Sequence, residues 1–261
     1  MRDAVLDLVL GSTCAVCGRP GAAICASCSR DLPRRPVTSW PSPCPPGLAR
    51  PTAVGDYDGA LKVLVNAHKE QQRFALARPL GELLAVSVLD HLPHPSCSSR
   101  TASPVLLVPV PSRRAVVRDR GHDPLLRVAR AATATLRRQG VPARVGRWLR
   151  PLRAAEDQAR LGAADRARNL AGSMAAGRSV RRTAAAAQPV PLVVVVDDVI
   201  TTGATVREAQ RALEVAGVEV RGIATVAATR RRREVVQSTC VRLTAPEDKS
   251  GTSLPLSGSA D

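Results

Sequence analysis

The stretch LVVVVDDVITTGATVREA, residues 192–209, decides the fold. It opens with a continuous apolar run of strand length, the pattern of a strand buried on both faces of a parallel sheet. Asp197 and Asp198 close that run. A Thr and Gly turn then enters an amphipathic helix, with Val206, Ala209, Leu213 and Ala216 at helical spacing and Gly217 as its stop. In an open parallel sheet, ligands bind just beyond the carboxyl ends of the strands. The turn therefore presents backbone N–H groups and the hydroxyls of Thr201, Thr202 and Thr205 to an anion at a helix N-terminus. Gly203 lets the backbone close on a phosphate with no side chain in the way. Asp197 and Asp198, immediately upstream, can accept hydrogen bonds from sugar hydroxyls. Phosphate plus diol describes a ribose phosphate. A P-loop is excluded because no GxxxxGK[ST] lysine follows the glycine, and a dinucleotide site because GxGxxG spacing is absent.

Working outward, VLLVPV at 105–110 is a second buried strand, and 218–228 reads as a third. Residues 59–69, 74–92 and 123–139 carry helical periodicity, with Pro79 able to start a helix afresh. Residues 153–172 are polar and helix-capable. Strands alternating with helices predict an α/β fold with a doubly wound parallel sheet. The Pro-rich stretch 31–51 can form neither a helix interior nor a central strand and reads as a linker. Beyond 243, Ser, Pro and Gly predict a disordered tail.

Four of the seven cysteines fall in the first 30 residues, as Cys14-x2-Cys17 and Cys25-x2-Cys28. Each CxxC turn converges two thiolates, and two turns complete a tetrahedral shell suited to structural Zn2+. The spacer is shorter than usual, with Gly18, Pro20 and Gly21 supplying its turn. Reduced core thiols or a disulfide pair are the bland alternative.

Composition sets the outer limits. The 261 residues suffice for one or two domains with ample core, and 44% apolar with 23% charged residues is globular rather than disordered. Aromatics are only 2%, which leaves nothing for an aromatic base-stacking platform. The formal charge of +16 points to anionic partners, although a strong Arg bias also arises from genomic base composition. Arg230, Arg231, Arg232 and Arg233 read as a solvated basic turn, with phosphate contacts to single-stranded DNA as the functional alternative. No apolar run reaches the roughly 18 residues of a membrane span, and acidic residues interrupt the first apolar stretch, which reads as a short helix rather than a signal peptide. A cytoplasmic, thiol-reducing location follows as the expectation.

The block from Val195 to Thr205, VVDDVITTGAT, resembles the phosphoribosyl pyrophosphate (PRPP) signature of the type I phosphoribosyltransferases. YDGALKVLVNAHK at 57–69, VPVPSRRAVVRDRGHD at 108–123, the pattern Gln158, Leu161, Arg166, Asn169 and the cysteine quartet narrow the resemblance to the ComF group associated with competence. That resemblance implies a zinc-knuckle module with its linker over 1–50, a phosphoribosyltransferase-like domain over 51–243 and the tail over 244–261. It implies that Asp197 and Asp198 hold the ribose hydroxyls, that Thr201, Thr202, Gly203, Ala204 and Thr205 cradle the 5′-phosphate, and that Pro111, Ser112 and Arg113 form the pyrophosphate loop, with Arg113 counted as catalytic beside the two aspartates. Gln158 and Arg166 would sit on a mobile loop. Mg2+ is implied with PRPP. The implied activity is transfer of ribose 5-phosphate to a nitrogenous acceptor with release of pyrophosphate; the alternative is a non-catalytic PRPP- and single-stranded-DNA-binding accessory protein of DNA uptake or recombination. Two departures stand out. Thr201 replaces an acidic residue found in purine-salvage relatives, and His122 and Asp123 replace the usual Phe and Asn of the RGFN motif.

Overall fold

The computed structural model describes residues 13–93, 103–112, 121–152, 172–177, 180, 187 and 189–229. They belong to one unit, Met1–Arg231. Arg113, Gln158, Arg166, Arg230, Arg231, Arg232, Arg233, the expected first helix and the tail of 244–261 lie outside the described residues.

The chain begins with small elements: α1 (Ala26–Arg30), β1 (Val37–Thr38), β2 (Pro51–Ala53) and β3 (Gly55–Asp56). Next come α2 (Gly59–Lys69), a 3-10 turn (Phe74–Leu76), α3 (Ala77–Leu89), β4 (Val105–Pro109), α4 (Pro124–Arg138) and β5 (Ala143–Val145). The last part holds β6 (Leu149–Pro151), β7 (Met174–Ala176), β8 (Leu192–Ile200), α5 (Ala204–Val215) and β9 (Gly222–Ala228). The main sheet runs β1-β2-β9-β8-β4-β5, with β3 also pairing β9. All its pairings are parallel except β1 with β2. β6 and β7 form a separate antiparallel ribbon.

Alternating side chains of β8 feed two cores, the arrangement a doubly wound sheet requires. Val194 and Val196 pack with Leu64, Leu83, Leu84 and Leu136 from α2, α3 and α4. Val193 and Val195 pack with Val206, Ala209 and Leu213 from α5. Each fully buried aliphatic side chain contributes about 1.5–3 kcal/mol, so many Leu and Val residues replace the missing aromatics. Past Val196 the alternation slips by one place, with Val199 against the first core and Ile200 in the second. β9 slips with it, placing Val226 and Ala227 in the first core and Ala228 in the second. The slip falls on Asp197 and Asp198.

Three expectations need correction. The aspartates do not end the strand: β8 continues to Ile200, because Asp197, Val199 and Ile200 still pair with Thr225, Ala227 and Ala228. The third core strand begins at Gly222 rather than 218. The Pro-rich stretch is fastened down rather than loose. β1 lies on the sheet edge, the Gln210 amide donates to Gly47 O at 3.0 Å and accepts from Ala49 N at 2.9 Å, and Arg207 Nε donates to Pro46 O at 2.9 Å. Proline-rich backbone has few donors of its own, and the side chains of α5 satisfy its carbonyls.

Candidate functional site

The site grows from a difference in strand length. β4 stays paired with β8 as far as Pro109 and Val196, and Val110 N–H still donates to Val196 O at 3.0 Å. There the chain turns away while β8 runs on against β9. A crevice opens at the carboxyl end of β4, beside Asp197 and Asp198, where open parallel sheets bind ligands. Its volume is about 500 Å³, within the usual range for small-molecule sites.

Six of the sequence-predicted residues line it: Pro111, Ser112, Asp197, Asp198, Thr201 and Thr205. The two carboxylates are held differently. Asp197 Oδ1 accepts the N–H of Asp198 at 2.9 Å, and burial, followed by the charge of Asp198, pushes its pKa up to about 8. Asp198 Oδ2 lies 2.8 Å from Lys69 Nζ. Burial pulls the Lys69 ammonium downward, yet the facing Asp198 carboxylate outweighs that and holds it above the ordinary lysine range.

The turn below the acids is built as an N-terminal cap. Gly203 sits at φ 72°, a left-handed conformation that glycine adopts without steric cost. Thr202 Oγ1 accepts the N–H of Ala204 at 3.4 Å, while Thr201 and Thr205 face the cavity. Gly203 and Ala204 are buried, and a Cβ on Gly203 would lie 2.9 Å from Pro41 Cγ. The glycine therefore also makes room for the Pro-rich stretch, a reason the sequence did not reveal. The positive end of the α5 dipole adds to the attraction for an anion.

A second helix N-terminus stands opposite. Pro124 and Leu125 of α4 line the cavity. Asp123 caps α4 by accepting Leu126 N–H at 3.1 Å, and the same oxygen accepts from Ser112 Oγ at 3.2 Å. His122 is buried edge-on against Phe74, with ring centroids 4.5 Å apart. The departures at 122 and 123 thus have structural roles, one in packing and one in capping. A neighbouring cavity of about 660 Å³ shares Val110, Pro111 and Ser112 and reaches Arg147 and Arg150.

Sequence reasoning missed the wall supplied by α2. Tyr57, Asn66, Lys69 and Glu70 line the cavity, and Tyr57 Oη donates to Asn66 Oδ1 at 2.7 Å. Tyr57 also packs against the first core. Asn66 and Lys69 are three residues apart on one helix face, which was the available signal. His68, by contrast, is buried, with ring nitrogens 3.2 and 3.3 Å from the carbonyls of Arg73 and Pro124.

The thiols of Cys14, Cys17, Cys25 and Cys28 converge, with all four sulfurs within 4.8 Å of one another. Cys25 N–H donates to Cys14 Sγ at 3.4 Å, as expected for a sulfur carrying negative charge. The Ser27 hydroxyl lowers the Cys25 pKa to about 6, while the hydrogen bond that the Cys28 thiol donates to Cys25, followed by burial, pushes Cys28 up to about 12. Four cysteine sulfurs this close can hold a metal ion, and an all-sulfur tetrahedral set fits Zn2+. Ala15, Val16, Ala23 and Ile24 pack this knuckle against the first core, and the Arg73 guanidinium donates to Thr13 O.

The phosphoribosyl transferase domain family matches residues 166–257, a span that contains β8, the Thr turn, α5 and β9. The match supports a type I phosphoribosyltransferase fold. No curated protein matches the chain. Among the described residues, no helix is long and apolar enough to cross a membrane.

Proposed function

We propose that the chain binds PRPP in the cavity at the end of β8 and transfers its ribose 5-phosphate to a nitrogenous acceptor, releasing pyrophosphate. The observation that carries this reading is the convergence of the Asp197–Asp198 pair with Thr201 and Thr205 in one cavity, inside the span matching the phosphoribosyl transferase domain. Thr201, Thr205 and the N-terminus of α5 take the 5′-phosphate, while Asp197 and Asp198 accept the ribose hydroxyls. Ser112, fixed by Asp123, stands beside them for the diphosphate, next to Arg113 in sequence. Gln158 and Arg166 belong to the loop proposed to cover the reaction centre.

Displacement at the anomeric carbon passes through an oxocarbenium-like state, so catalysis rests on stabilising the leaving pyrophosphate and excluding water. Mg2+, a hard cation with a preference for oxygen ligands, would neutralise diphosphate charge, and Asp197, Asp198 and Glu70 offer carboxylate oxygens in this cavity. The knuckle cysteines hold Zn2+ structurally. Protein purified without chelator, titrated with PRPP and Mg2+ in a calorimeter and then assayed for pyrophosphate release with candidate bases, tests the reading. Binding with release supports it. Binding without release points to the accessory module, and absence of binding overturns the assignment.

A further inference from the structure

The charges around the cavity are unbalanced for the ligand proposed. Among the described lining residues, Asp197, Asp198 and Glu70 are acidic and Lys69 alone is basic. A sugar bearing phosphate at one end and diphosphate at the other brings further negative charge. The N-terminus of α5 serves the 5′-phosphate, and Ser112 offers the diphosphate a donor without charge, so a cation in the same cavity is still needed.

Lys69 has the required placement. It is the last residue of α2, so the helix carbonyl end favours its charge. Its Nζ lies 2.8 Å from Asp198 Oδ2, and its side chain is 39% exposed against 19% for Asp198. The lysine is thus the more exposed partner of the ion pair. An ammonium carries three donors, of which this ion pair engages one.

We infer that Lys69 is a binding residue for the anionic group of the ligand, its ammonium anchored at Asp198 so that one ion pair reads a sugar hydroxyl and a phosphoryl oxygen together. The inference rests on the PRPP reading for the hydroxyl half only. It makes the cavity selective for phosphorylated, diphosphate-bearing sugars over neutral ones. Without Lys69, the acidic residues of the cavity would face the incoming anion with no cation among the described lining residues.

The test uses two probes with Mg2+: PRPP, and inorganic pyrophosphate, which has no ribose. Lys69→Gln should weaken both by about tenfold or more, as expected for loss of a charged hydrogen bond. Lys69→Arg should restore most of the affinity for both probes. Thermal melting of each variant checks the fold. Wild-type affinity of Lys69→Gln for pyrophosphate overturns the role of Lys69 and leaves the PRPP reading standing. If the wild type binds pyrophosphate but not PRPP, the ribose reading falls, and the Lys69→Gln comparison still decides the inference. Binding of neither probe overturns both.

Discussion

Gly203 and Pro41 approach so closely that a Cβ on the glycine would come within 2.9 Å of the proline Cγ. The turn that would cradle a phosphate is thus clamped from behind by a segment that reads as linker. Gly203→Ala must tolerate both this contact and a φ of 72°, and the left-handed conformation alone costs an L-residue about 1–2 kcal/mol. Urea unfolding should show a loss of about 1–3 kcal/mol. Adding Pro41→Ala should recover the contact part but not the backbone part, whereas full recovery would refute the backbone argument.

Asp123 serves α4 and Ser112 with one oxygen. Asp123→Ala should cost about 0.5–2 kcal/mol through the lost cap and also weaken PRPP binding, because Ser112 loses its anchor. Asp123→Asn keeps a capping oxygen and should leave stability within about 0.5 kcal/mol of wild type. Equal damage from both substitutions would show that charge, not capping, is what the position supplies.

Asp197 makes stability depend on pH. Its folded pKa of about 8 stands above the unfolded value near 3.9. The folded protein therefore binds the proton more tightly, and this stabilising contribution is complete below pH ~3.9 and lost as pH rises through about 8. Without ligand, the melting temperature should fall between pH ~4 and ~8 by an amount that Asp197→Asn removes. An identical pH profile in the variant would place the titration elsewhere.

Much of this fold is legible in the sequence for physical reasons. A strand buried on both faces must be continuously apolar, so β4 and β8 announce themselves, and α2, α4 and α5 show their apolar stripes. The cysteine quartet is legible because metal geometry dictates CxxC spacing. The α2 wall is harder to see, since nothing local ties Lys69 to Asp198 far along the chain. The fastening of the Pro-rich stretch depends on Gln210 and Arg207, polar residues on an otherwise ordinary helix. The extension of β8 through two acids depends on its pairing with β9, a tertiary effect that overrides the low strand preference of Asp.

The knuckle should contain one Zn2+ per chain, measurable by metal analysis of reduced protein. Cys25→Ser should lose the metal and lower thermal stability while the parallel sheet remains folded, because the pairings among β2, β9, β8, β4 and β5 involve no knuckle residue. Full metal content in this variant would exclude Cys25 as a ligand.

The central claim is that Asp197 and Asp198 hold the ribose of PRPP. Asn keeps the size and shape of Asp, so Asp197→Asn with Asp198→Asn should stay folded. Each charged hydrogen bond is worth about 1.5–3 kcal/mol, and at about 1.4 kcal/mol per factor of ten the pair should account for a hundredfold or more in affinity. The direct measurement is the calorimetric Kd for PRPP with Mg2+ in wild type and double variant. A Kd raised at least about a hundredfold is the predicted result, and an unchanged Kd in a folded variant would contradict the assignment.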